Sequence, residues 1–65
     1  MRILVTGAAG QVGSTVARGL RKRHQVRGHD RIPMPELDDT IVSDLNDFDA
    51  VLEATRGMDG VAHIG

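Results

Sequence analysis

One stretch constrains the fold of this chain more than any other: Thr6-Gly7-Ala8-Ala9-Gly10-Gln11-Val12-Gly13. Its glycines fall at every third position. They follow an apolar, β-branched run (Arg2 to Thr6) and open a segment with helical periodicity. An apolar run of this length that stops at a glycine reads as a buried strand. The order strand, glycine loop, helix then gives each glycine a task. Gly7 permits a tight turn that a Cβ would obstruct, Gly10 lets the backbone come close to a pyrophosphate, and Gly13 lets the helix pack closely on the sheet. Free N–H groups and the dipole at the helix start, where Gln11 and Val12 lie, attract phosphates. A plain strand-to-helix turn would use the same glycines. The flanking strand and helix favour the phosphate-binding reading.

Asp30 adds a second constraint. It ends another strand candidate, Gln25 to Asp30, and lies 23 positions after Gly7, where a dinucleotide site expects its acid. A carboxylate there accepts hydrogen bonds from the adenosine ribose hydroxyls and repels a 2′-phosphate. The expected cofactor is therefore NAD rather than NADP. A solvated loop carboxylate is the plainer alternative. Arg31 complicates the preference, because it can lie over the adenine ring or partly neutralise a 2′-phosphate.

The rest of the chain alternates between strand and helix signals. Val12, Val16 and Leu20, with Ala17 beside them, predict an amphipathic helix ending near His24. Arg18, Arg21, Lys22 and Arg23 form its solvated face and C-terminal end, where cations suit the macrodipole. The strand Gln25 to Asp30 is weakened by Gly28. Arg31 to Asp39 carries Pro33 and Pro35 and reads as a connection with at most one helical turn. Thr40 to Ser43 is a third strand. Asn46 is the expected N-cap of a second helix, with Asp49 in the capping-box position and Phe48, Val51, Leu52 and Thr55 on one stripe. Asp47, Asp49 and Glu53 fall early in that helix, Arg56 late, and Gly57 stops it. Gly60 to Ile64 is a fourth strand. Such alternation predicts an α/β fold: part of a Rossmann-like, doubly wound parallel sheet in the order 3-2-1-4. The fourth strand has the composition of an interior strand, which leads us to expect a fifth strand and more protein beyond it.

Composition limits the partners. With 65 residues and no cysteine, the chain has room for a marginal core and no disulfide or thiolate metal site. The lack of cysteine agrees with a cytoplasmic setting. A net charge of −1 provides no basic excess for nucleic acid or an anionic membrane surface. No apolar stretch approaches the ~20 residues of a membrane span, and the apolar start breaks at Thr6-Gly7, too early for a signal peptide. His24, His29 and His63 lack ligand spacing, so no metal site is expected. His63, in an apolar strand, reads as a satisfied interior histidine. Ser14 and Thr15 read as phosphate-binding or capping groups, with no base placed beside them.

The sequence Thr6-Gly7-Ala8-Ala9-Gly10-Gln11-Val12-Gly13 is similar to the TGxxGxxG fingerprint of the extended short-chain dehydrogenase/reductase family, the NAD-dependent epimerases and dehydratases. Two further stretches resemble that family. Asp44-Leu45 looks like its acidic-aliphatic pair; the resemblance implies that the carboxylate meets the adenine amino group and that the aliphatic side chain walls the base. Val61-Ala62-His63-Ile64-Gly65 looks like its fourth strand, which places Ile64 and Gly65 beside the cofactor. There are three departures. Gln11 replaces a common aromatic residue, the Arg31 to Asp39 connection is short and proline-rich, and Gly65 replaces a common alanine.

The resemblance also implies a catalytic Tyr-x-x-x-Lys pair, in which the tyrosine exchanges a proton with the substrate and the lysine lowers its pKa. This chain has no tyrosine, and its only lysine is Lys22, on the exposed side of the first helix. The expectation is therefore the N-terminal part of an NAD(P)-binding domain, residues 1–65, with no catalytic residue of its own. The parent would be an epimerase, dehydratase or dehydrogenase acting on a sugar, sugar nucleotide or sugar acid. The alternative is a non-catalytic, redox-sensing NAD(P)-binding regulator of the same fold.

Overall fold

The computed structural model describes residues 1–64. Its elements are β1 (Arg2–Thr6), α1 (Gln11–Leu20), β2 (Gln25–Asp30), β3 (Asp39–Val42), α2 (Phe48–Thr55) and β4 (Gly60–His63). The four strands form one parallel sheet in the order β3-β2-β1-β4. This is the order that the alternation of elements predicts. Because the chain changes direction at β1, right-handed crossovers send the two helices to opposite faces.

Strand alternation sorts the side chains accordingly. Ile3 and Val5 point to the α1 face and form the core with Ala8, Ala17 and Met34. Leu4 stands opposite Arg27, and Thr6 stands opposite both His29 and His63. This row lies on the α2 face, since Arg27 Nη1 donates to the carbonyls of Ala54 and Arg56 at the end of α2, at 3.0 and 3.1 Å. Arg27 Nε also donates to both oxygens of Asp39 at 3.1 Å. One side chain thus ties the edge strand β3 to the C-terminus of α2, where a cation also complements the helix dipole.

Several boundaries differ from the sequence expectation, each for a local reason. α1 ends at Leu20 rather than near His24. The Leu20 carbonyl takes N–H groups from both Arg23 and His24, and Gln25 N then donates to Met1 O, which starts the ladder of β2. The buried face of α1 is Gly13 and Ala17; Val12, expected on the apolar stripe, is 63% exposed at the mouth of the cavity described below. Asp47 replaces Asn46 as the N-cap of α2. Asp44 already holds Asn46 N through Oδ1 at 2.9 Å, and the extended Asp47 accepts from Ala50 N at 3.1 Å. α2 turns Ala54 inward, while Phe48 and Leu52 of the expected apolar stripe remain exposed. β3 starts and stops one residue earlier than expected, because Asp39 is drawn onto the ladder opposite Arg27. β4 closes at His63, and Ile64 N still reaches Thr6 O at 3.3 Å.

The connection from Arg31 to Asp38 contains no helix, but it covers the α1 face of β2. Met34 is buried there. A Cβ on Gly28 would lie 2.5 Å from Leu37 Cδ1 and 2.9 Å from Met34 Sδ. The glycine that weakens the strand signal in β2 is thus the space into which the proline-rich connection packs.

Candidate dinucleotide site

The C-terminal ends of β1, β2 and β3 open onto a cavity of about 590 Å³. A crevice beyond the carboxyl ends of the strands, where successive connections leave in opposite directions, is where open α/β sheets bind ligands. The first wall is the glycine loop. Gly7 has φ +72°, a left-handed conformation that favours glycine. A Cβ at Gly13 would lie 1.9 Å from Gly7 O, so α1 starts in direct contact with the turn that precedes it. The partner of Gly13 is this turn and not a strand of the sheet, which corrects the expectation that Gly13 serves helix-on-sheet packing.

Gly10 differs from both. Its φ of −75° is ordinary, and a Cβ there would make a 3.4 Å contact with Gly7 O, with no overlap. Neither conformation nor internal packing requires glycine at this position. Gly10 lines the cavity. α1 also has no side-chain cap and no acidic residue in its first turn. Its first N–H groups, those of Gln11, Val12 and Gly13, lie at an uncapped helix end on the cavity wall. That arrangement suits a phosphate group.

The second wall is the end of β2. Asp30 Oδ2 accepts from Ala9 N at 2.9 Å and Oδ1 from Arg31 N at 2.6 Å. These bonds aim the carboxylate along the glycine loop and leave lone pairs for further donors. Arg31 is exposed at the rim. Asp44 and Leu45, in the turn after β3, form the third wall, and Ile64 closes the side next to β4.

The cavity therefore brings together Gly7, Gly10, Gln11, Val12, Gly13, Asp30, Arg31, Asp44, Leu45 and Ile64. Gly65, also expected at the site, lies outside the described residues. Reasoning from the sequence missed His29. It lines the cavity, its residue surface is 1% exposed, and its Nε2 is hydrogen-bonded to Ser43 Oγ at 2.7 Å. The available signal was its position, next to Asp30 in a strand that otherwise carries its apolar and small residues at Val26 and Gly28. His63 is exposed at the end of its strand, with Nδ1 hydrogen-bonded to Thr6 Oγ1 at 2.6 Å. It has a hydrogen-bond partner, as expected, but it is not an interior residue.

The model of the NAD dependent epimerase/dehydratase family matches residues 3–65. The chain belongs to this family. It is 46% identical over 70 residues to a 2-alkyl-3-oxoalkanoate reductase of Stenotrophomonas maltophilia, covering 100% of this chain and 21% of the relative. Among solved structures, a short-chain dehydrogenase/reductase superfamily protein of Agrobacterium tumefaciens with bound NAD superposes with a TM-score of 0.92 at 39% identity. That match covers 100% of this chain and 20% of the other. The uronate dehydrogenase of the same organism superposes with a TM-score of 0.89 at 35% identity, over 98% of this chain and 26% of the other. The chain thus spans about a fifth to a quarter of the length of these proteins.

Among the described residues, no group of three or more His, Asp or Glu side chains is arranged to hold a metal ion. No described helix is long and apolar enough to cross a membrane.

Proposed function

We propose that these residues form the first part of a dinucleotide-binding domain. In this reading the cavity at the strand ends holds the ADP-ribose half of NAD. One observation carries it: Gly10 is required neither by its backbone angles nor by internal packing, yet it faces the cavity at an uncapped helix end. The glycine loop and the first-turn N–H groups of α1 hold the pyrophosphate. Asp30 accepts from the ribose hydroxyls, and Asp44, Leu45 and Ile64 border the adenine side. Arg31 lies over the rim. Asp30 also sets the preference for NAD over NADP. A 2′-phosphate would remove a donor from the carboxylate and place like charges a few ångströms apart, worth roughly 4 kcal/mol at 4 Å and an effective dielectric of 20 before screening. Further chain beyond these residues would cover Val61, Phe48 and Leu52, which are 55–64% exposed here.

For the whole protein we propose an NAD-dependent oxidoreductase or epimerase/dehydratase that acts on a sugar, sugar nucleotide or sugar acid. The likeness to uronate dehydrogenase supports the substrate class. When bound, NAD supplies a hydride acceptor for a carbon that bears a hydroxyl. The proposed setting is the cytoplasm, where a chain without cysteine loses nothing to reduction.

The test is to incubate the intact protein with NAD and a panel of aldoses, uronates and sugar nucleotides, together with 3-oxo acids in the reverse direction with NADH. Turnover on a sugar-type substrate is expected. Turnover confined to the oxo acids would overturn the substrate class. Tight NAD binding without turnover on any member would favour the redox-sensing regulator.

A further inference from the structure

The two outer walls of the cavity, the glycine loop and the turn after β3, are joined through His29 and Asp30 at the end of β2, and the side-chain link to Ser43 comes from His29. The backbone carbonyl of His29 accepts from Gly7 N at 2.8 Å and Ala8 N at 3.2 Å, so its main chain holds the start of the glycine loop. Its imidazole points to the α2 face, is buried, and meets Ser43 Oγ at 2.7 Å. Ser43 immediately precedes Asp44 and Leu45. The strand that delivers them is weakly held. β3 has four residues and pairs only with β2. Beyond Val42, one backbone bond from Ser43 N to Asp30 O at 2.9 Å continues the ladder. The turn that follows closes on itself through Asp44, with Asn46 N donating to Oδ1 and Asp47 N to the carbonyl. This closed turn joins the sheet at Ser43 and runs into the N-cap of α2 at Asp47.

Resting on the dinucleotide reading above, we propose that His29 is a positioning residue for adenine recognition. It fixes Ser43, and through Ser43 it sets where the Asp44 carboxylate and the Leu45 side chain stand relative to the phosphate loop. Asp44 Oδ1 is occupied by Asn46 N, which leaves Oδ2 to accept from the exocyclic amino group of the adenine. A displacement of the turn by an ångström would break that bond while leaving the pyrophosphate and ribose contacts in place. His29 therefore governs base selectivity more than overall binding, and it does so without touching the ligand's base itself.

Calorimetry on the intact protein separates these effects by comparing NAD with nicotinamide hypoxanthine dinucleotide. In the analogue a carbonyl replaces the adenine amino group, so the Asp44 carboxylate meets an acceptor instead of a donor. The parent is expected to prefer NAD by about tenfold or more, the range of a hydrogen bond to a charged group. His29→Leu and Ser43→Ala should each bring the ratio of dissociation constants to within about twofold of unity, and the double variant should fall no further. Ser43→Thr, which keeps the hydroxyl, should retain the preference. If His29→Leu does not fold, Ser43→Ala alone carries the test. A folded Ser43→Ala protein that keeps the parent ratio overturns the inference, because a merely structural contact would lower stability and leave the ratio unchanged. A parent that binds both dinucleotides equally also overturns it, while the dinucleotide reading stands. A parent that binds neither overturns both.

Discussion

Alanine at Gly13 and alanine at Gly10 separate what the fold requires from what the ligand requires. At Gly13 the added methyl would lie 1.9 Å from Gly7 O and 2.6 Å from Gly7 C. Non-bonded heavy atoms prefer roughly 3.5 Å, so α1 would have to withdraw from the turn by about 1.5 Å. Overpacking costs about 1–3 kcal/mol where side chains can rotate away. Both partners here are backbone, which puts Gly13→Ala at about 3 kcal/mol or more. At Gly10 the methyl makes an ordinary 3.4 Å contact on a backbone with φ −75° and ψ 172°. Alanine is a poorer N-cap than glycine, but it removes about 0.4–1 kcal/mol of unfolded-state entropy. Gly10→Ala should stay within about 1 kcal/mol of the parent. Urea unfolding of the intact protein without cofactor measures both variants, and a gap of at least about 2 kcal/mol between them is expected. Equal stabilities, or Gly10→Ala as the weaker variant, would refute the account of the loop.

Three further outcomes follow from individual contacts. Arg27→Met should lower stability by about 2 kcal/mol in the same unfolding assay, since it leaves Asp39 and two α2 carbonyls without their charged donor; Arg27→Lys should recover less than half, because lysine cannot reproduce the fork. Asp47→Ala should cost about 1 kcal/mol and Asp47→Asn much less, as an N-cap bonded to Ala50 N requires; equal losses would place the cap elsewhere. Asp30→Asn should weaken NAD binding and narrow the gap between NAD and NADP, with the two dissociation constants read by calorimetry. An NADP preference in the parent that vanishes in Arg31→Ala would assign the choice of cofactor to Arg31 instead.

The fold was largely legible because local and long-range signals agreed. The apolar run Ile3-Leu4-Val5, stopped by a glycine, reads as a buried strand, and the change to helical periodicity after the glycine loop marks α1. The walls of the cavity were legible for the same reason, since each lies at the end of a strand whose place in the order was fixed. What stayed hidden depended on which of two neighbouring residues won a local competition. Asn46 and Asp47 are both good caps, and only the turn closed by Asp44 decides between them. The inward face of α2 was hidden because hydrophobicity points to Phe48 and Leu52, whereas the space above the sheet admits Ala54. His29 was missed because a lone histidine in a strand carries no spacing signal. Its role depends on Ser43, a residue 14 positions away that only the β2–β3 pairing brings within reach.

In the proposed reading Gly10 is glycine for the sake of a bound pyrophosphate. Calorimetric titration of NAD into the intact protein and into Gly10→Val decides whether it is. A Cβ at this cavity-lining position makes one ordinary 3.4 Å contact with Gly7 O on an unstrained backbone, so the variant should fold and its binding alone should suffer. One NAD per chain is expected for the parent, and no detectable binding for a folded Gly10→Val protein. Unchanged affinity in the variant, or no binding by the parent, would contradict that reading.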